Sequence, residues 1–152
     1  MSKLLAFILA LLAVSVSQAM SAPAYDADAV ARIHAGIVDC PGCNLQGADL
    51  RNTCVKAKNL TGANFDGANA FMMCMSFANF SHATFRGTDL SGANLAHADL
   101  DGADLSGALM VITSLKGTDL SKARGLTQKQ LDAACGDADT KAPAGLTVHA
   151  CT

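Results

Sequence analysis

From Leu45 to Leu120 a large apolar residue returns at every fifth position, and only Ala70 in that series is small. The centres read Leu45, Leu50, Val55, Leu60, Phe65, Ala70, Met75 and Phe80, then Phe85, Leu90, Leu95, Leu100, Leu105, Met110, Leu115 and Leu120. Two positions before each centre stands a small residue, Ala in nine pentads and Thr in four, with Cys43, Lys58 and Met73 as the exceptions. Asp or Asn usually precedes the centre, and Gly closes half of the pentads, as in Ala103-Asp104-Leu105-Ser106-Gly107. A period of five matches neither an amphipathic helix nor a half-buried strand. It matches a chain that turns a corner every five residues. One large and one small side chain per side then fill a narrow interior, and three positions face water. Sixteen pentads hold that register without an insertion, the mark of a repeat architecture.

The pattern A-[DN]-[LF]-x-G, repeated in register over about eighty residues, resembles the pentapeptide-repeat family. That resemblance implies an all-β solenoid, a right-handed quadrilateral β-helix with four pentads per coil and about four coils. Residues twenty apart would stack, Phe65 over Phe85 with Leu45 and Leu105 beyond them, at the inter-strand spacing of about 4.8 Å. A solenoid has open ends that invite polymerisation, so both flanks need covers. Upstream, Asp26 or Asp28 is placed to cap a short helix through Val30, Ile33 and Ile37, with Gly36 near its end. Downstream, Thr127 and Gln130 form a capping-box pattern that opens a helix containing Leu131, with Gly136 at its stop. The tail from Ala123 onward is similar to a segment that follows the repeats in many bacterial members. The expected division is an N-terminal cap over 20–42, the repeat β-helix over 43–122, and a C-terminal helix and stapled tail over 123–152.

Residues 1–19 read as a separate object. Lys3 precedes an apolar run from Leu4 to Val16, and Ser17-Gln18-Ala19 supplies small residues at a cleavage site. Thirteen residues fall short of the roughly 20 a spanning helix needs, so the expectation is a secretory signal peptide and no membrane attachment after its removal. Composition agrees with a helix-poor, aliphatic interior: every acid is Asp, Trp is absent and Tyr occurs once. The formal charge is −2, and the repeats hold seven acids against six bases, too even a balance for a phosphate-like or nucleic-acid-binding field.

Six cysteines, all beyond the leader, suit an oxidising compartment. In the stacking scheme that the resemblance supplies, Cys54 and Cys74 lie on neighbouring coils, at a separation a disulfide can span. Cys135 and Cys151 flank the C-terminal loop and are expected to pin it. Cys40-Pro41-Gly42-Cys43 has the spacing of thiol–disulfide enzymes, but no helix follows it to activate a thiolate. A structural bridge at the solenoid edge is the preferred reading, and a redox role for Cys40 and Cys43 is the alternative. The four histidines share neither a face nor ligand spacing, and no nucleophile–base pair, phosphate loop or dinucleotide fingerprint occurs. No cofactor, metal or enzymatic activity is therefore expected.

One group of residues breaks the polar exterior. Phe71, Met72 and Phe77 occupy nominally outward positions, as do Leu109, Val111 and Ile112. Two readings are open: an apolar surface for a protein partner or for self-association, or a bulge around Phe71–Met75 that turns some of these side chains inward. The function this supports is a non-catalytic structural or binding scaffold of the periplasm or cell exterior. DNA mimicry toward a topoisomerase, known for some family members, is disfavoured by export and by the balanced charge.

Overall fold

A computed structural model describes residues 24–37 and 39–152. The leader expected over 1–19 lies outside the described residues, as does the start of the N-terminal cap. Parallel bridges link each residue before a centre to its counterpart twenty positions on, from Asn44–Asn64 through Asp104–Arg124. Four pentads therefore complete a turn, and the molecule has four sides. Side 1 carries centres Leu45, Phe65, Phe85 and Leu105. Side 2 carries Leu50, Ala70, Leu90 and Met110. Side 3 carries Val55, Met75, Leu95 and Leu115, and side 4 carries Leu60, Phe80, Leu100 and Leu120.

The backbone hydrogen bonds explain why each pentad position prefers its residue. The centre N–H donates to the next coil, as Leu45 does to the Asn64 carbonyl at 2.7 Å. The residue before the centre donates to the coil below, as Asn64 does to Cys43 at 2.9 Å. Each corner is a turn in which the third residue after the centre donates back to the centre carbonyl, as Ala63 does to Leu60 at 3.0 Å. Its second residue has positive φ at all sixteen corners from Gly42 to Gly117. A turn of this kind requires the left-handed region at that place, which is why Gly recurs there. The first corner N–H is satisfied by the Asn or Asp preceding the centre, as Asn64 accepts from Asp66 at 2.9 Å.

Inside, every centre is buried to 1% exposure or less. Phe65 stacks on Phe85 with ring centroids 4.8 Å apart, and Phe80 meets both rings edge-on. Such pairs add to the area they bury. The inward Thr88, Thr113 and Thr118 are fully buried yet satisfied, each donating to the carbonyl of a centre in the coil below.

Helix α1 spans Ala27–His34, with Asp26 accepting from the N–H groups of Asp28 and Ala29 and with Ala29 and Ile33 buried. Ile37 lies beyond the helix and is 69% exposed, so it is not a core position; the chain leaves α1 through Gly36 at φ +70. Helix α2 spans Gln128–Ala133, opened by the reciprocal Thr127–Gln130 capping box, with Leu131 buried. It ends on extended Ala134 rather than at Gly136. Gly136 instead pairs with Ala150, and a Cβ there would collide with Thr140.

Solenoid pairing reaches past both expected boundaries. Asp26 donates to Asn44, and Cys40 donates to Asn59 in the register of side 4, so the first corner begins at Cys40 rather than at 43. At the other end Ser114 pairs with Cys135 and Asp119 with Lys141, a step lengthened by one residue across α2 and by a second in the turn at Asp137–Thr140.

Candidate functional site

The bridge register runs unbroken through Phe71–Met75, with Met73 and Met75 buried as ordinary inward residues. The bulge expectation is thereby corrected. Phe71, Met72 and Phe77 are 40%, 56% and 55% exposed, and Leu109, Val111 and Ile112 are 56%, 52% and 78% exposed. The corner between sides 2 and 3 stacks Arg51-Asn52, Phe71-Met72, Ser91-Gly92 and Val111-Ile112 in successive coils. Gly92 leaves room for its neighbour below: a Cβ there would come within 3.1 Å of Met72 Cγ. Met72 thus leans along the corner toward Ile112. Phe77 stands on the opposite edge of side 3, stacked at 4.8 Å on the His97 ring, with Lys56 Nζ 5.8 Å from its ring centroid. Leu109 and Val111 continue the apolar surface onto side 2, where Lys129 and Ala133 of α2 help line a groove of about 340 Å³.

Three of the six sit in left-handed backbone: Met72 at φ +54, Phe77 at +60 and Ile112 at +57. A bulky or β-branched residue is a real outlier there. The side-3 repeats from Thr53 to Gly117 bear no carboxylate, whereas the repeats of each other side do; the Asp137 carboxylate beyond them accepts from the Gly117 N–H at 2.9 Å. Three ion pairs lie away from side 3, Asp104–Arg86 at side 1 and Asp101–Lys122 and Asp119–Lys141 around side 4, while Asp49–Arg51 joins side 2 to the corner it shares with side 3. Hydrogen bonds from Arg51 hold the Asp49 carboxyl at about 2, and those from Ser106 and Arg86 do the same for Asp104.

The cysteines fall into three pairs. Cys54 and Cys74 stack on side 3 with Cα atoms 4.4 Å apart, their sulfurs in contact. Cys135 and Cys151 are bonded, with Cα atoms 4.8 Å apart. Cys40 and Cys43 are buried free thiols, which corrects the expected bridge. Both occupy inward slots of one corner, where the Cys43 N–H donates to the Cys40 carbonyl at 3.3 Å and an Arg32 guanidinium N–H reaches Cys40 Sγ at 3.4 Å. Burial, then the adjacent Cys40, pushes the Cys43 thiol up to about 12. Among the described residues no group of three His, Cys, Asp or Glu side chains is arranged to hold a metal ion, and no helix is long and apolar enough to cross a membrane.

Comparison with known proteins identifies the architecture. The family model described as pentapeptide repeats matches residues 41–70 and 74–110 in eight copies. Among solved structures the chain is similar to HetL of the cyanobacterium Nostoc sp. strain PCC 7120, a protein involved in heterocyst differentiation regulation. The match has 28% identity over 67% of this chain and 46% of HetL, with a TM-score of 0.55. This chain therefore spans less than half of HetL. It is also similar to Rfr23 of the cyanobacterium Cyanothece 51142, with 25% identity over 70% of this chain and 68% of that one, at a TM-score of 0.54. QnrB1, a plasmid-mediated fluoroquinolone resistance protein, shares the fold at 19% identity over 64% of this chain and 52% of its own, with a TM-score of 0.51. No curated protein matches. Family members adopt the right-handed quadrilateral β-helix that the twenty-residue register describes. The chain belongs to the pentapeptide-repeat family.

Proposed function

We propose that this protein is a non-catalytic binding scaffold, exported to the periplasm or cell exterior, whose solenoid of about four coils is covered at its ends by α1 and α2 and works by protein–protein contact. One observation carries the reading. At the corners where this fold favours glycine, the chain places Met72, Phe77 and Ile112, accepting left-handed strain to hold large apolar side chains in water. Strain kept against such an alternative points to use, and exposed apolar clusters mark contact surfaces. Two cysteine pairs at disulfide separation support an oxidising compartment. The burial of both Cys40 and Cys43 weighs against redox catalysis. The carboxylate-free repeats of side 3 and the ion-paired acids elsewhere weigh against DNA mimicry.

Native mass spectrometry of the protein taken from the exported fraction of its own cells tests this, with a Met72→Gly, Phe77→Gly, Ile112→Gly variant alongside. The scaffold reading predicts a mature chain beginning near Met20 that carries a second polypeptide in fixed ratio, lost in the variant. A chain retained in the cytoplasm with Met1, or one that is bare in both samples, contradicts it.

A further inference from the structure

We propose that side 3 receives an acidic amphipathic polypeptide segment, its apolar side chains laid on Met72, Ile112 and Phe77 and its carboxylates directed to Lys56 and Lys116. The proposal rests on the scaffold reading above and names the chemistry of the partner.

Three features of this side agree. Its repeats from Thr53 to Gly117 bear no carboxylate, the Asp137 carboxylate on the continuation of this side already accepts from the Gly117 N–H, and among the described residues neither Lys56 nor Lys116 has an ion-pair partner. It is bordered by exposed apolar residues on both edges. It also departs from the rule by which the first corner N–H is capped. Wherever Asn or Asp precedes a centre from Asn44 to Asp119, that N–H is accepted by its side chain, and at Arg86 the Asp66 carboxylate takes the same role. On side 3 only Asn94 follows the rule; the other preceding residues are Cys54, Cys74 and Ser114, and beside it Leu109. Among the described residues the N–H groups of the exposed Lys56, Lys116 and Val111, and that of the buried Ser76, consequently have no acceptor within the chain. All four lie along the edges of side 3, and the three on exposed residues are open to a partner. Backbone donors and ammonium groups at the rim of an apolar strip form a receiver for acceptor-bearing side chains.

The same features separate this partner from two others. A second copy docking side 3 on side 3 would set the lysines against carboxylate-free repeats and would juxtapose like charges. An anionic membrane is held by clusters of about four to eight basic residues, and this side offers two lysines at opposite ends of the solenoid.

The test uses the full mature chain and a labelled peptide alternating Leu and Glu, with a Leu–Lys peptide as control, read by fluorescence anisotropy. The Leu–Glu peptide is expected to bind saturably and more weakly with added salt. Binding should fall about fivefold in Lys56→Glu/Lys116→Glu, and it should vanish in Met72→Gly/Ile112→Gly, whose thermal midpoint does not fall. Equal binding of the two peptides overturns the proposal. So does a wild-type dimer in sedimentation that Ile112→Gly dissolves, or capture by phosphatidylglycerol vesicles without peptide binding. Peptide binding that both variants leave intact sinks the proposal while leaving the scaffold reading standing on another side. Failure of the scaffold reading shows separately, as a bare chain in the native mass measurement.

Discussion

Replacing Ile112 by glycine should stabilise the protein, although it deletes a large apolar side chain. Ile112 stands at φ +57 and is 78% exposed, so the side chain contributes little burial and its backbone sits where L-residues are strained. A left-handed residue costs roughly 1–2 kcal/mol, and a β-branched one lies at the upper end. Glycine removes that strain but adds about 0.5–1 kcal/mol of unfolded-chain entropy, and the lost contacts of a mostly exposed side chain are worth a few tenths. The balance is a gain on the order of 0.5–1 kcal/mol, or about 2–5 °C in thermal midpoint for a domain of this size. Circular dichroism melts of wild type and Ile112→Gly read it directly. Gly67→Ala calibrates the scale. Gly67 has φ +64 with nothing within 4 Å of the place an added Cβ would occupy, so alanine there meets backbone strain alone and should lower stability by up to about 1 kcal/mol. An Ile112→Gly protein that melts several degrees below wild type would refute the strain argument.

Acid should destabilise the fold below about pH 4. Asp49 and Asp104 are held at about 2 in the folded chain, and Asp119 is also lowered by Ser121 and Lys141, so their contribution is present above the ordinary carboxylate range and is lost as pH falls from about 4 toward 2. Melting temperatures unchanged between pH 5 and pH 2 would contradict this. Phe85→Ala should cost about 3–5 kcal/mol in denaturant titration, because the ring is fully buried against Phe65 and Phe80. Cys43 should resist iodoacetamide in the native protein at pH 8 and react only on unfolding, being buried with its thiol pushed up to about 12. Rapid native labelling, located by mass mapping, would return the redox reading to consideration.

The repeat register was legible because it is a property of side-chain size alone: sixteen centres at a period of five admit one closed, four-sided path once residues twenty apart stack. What the sequence hid was backbone conformation at the corners. Gly at the closing position announces a left-handed turn, but Met72, Phe77 and Ile112 in the same slot look like ordinary outward residues, and only their φ values reveal strain. The solenoid start was missed for a related reason. Cys40 fills a centre normally held by Leu or Phe, and its proximity to Cys43 invited a disulfide, whereas the corner places the two thiols side by side in the core. At the far end, α2 inserts between paired residues and lengthens the step, an irregularity that no periodicity marks. The candidate face itself was half visible. Its apolar residues stood out by type, while its missing carboxylates and unfilled N–H groups emerge only when residues are sorted by side.

Site-specific photo-crosslinking in the cells that make the protein tests most directly whether side 3 is the working surface. The probe p-benzoyl-phenylalanine is placed at Ile112 in one strain and at Ser121, an exposed corner between sides 4 and 1, in another. The account predicts a discrete adduct with one other polypeptide from position 112 and none from position 121. The same adduct from both positions, or from position 121 alone, would contradict it.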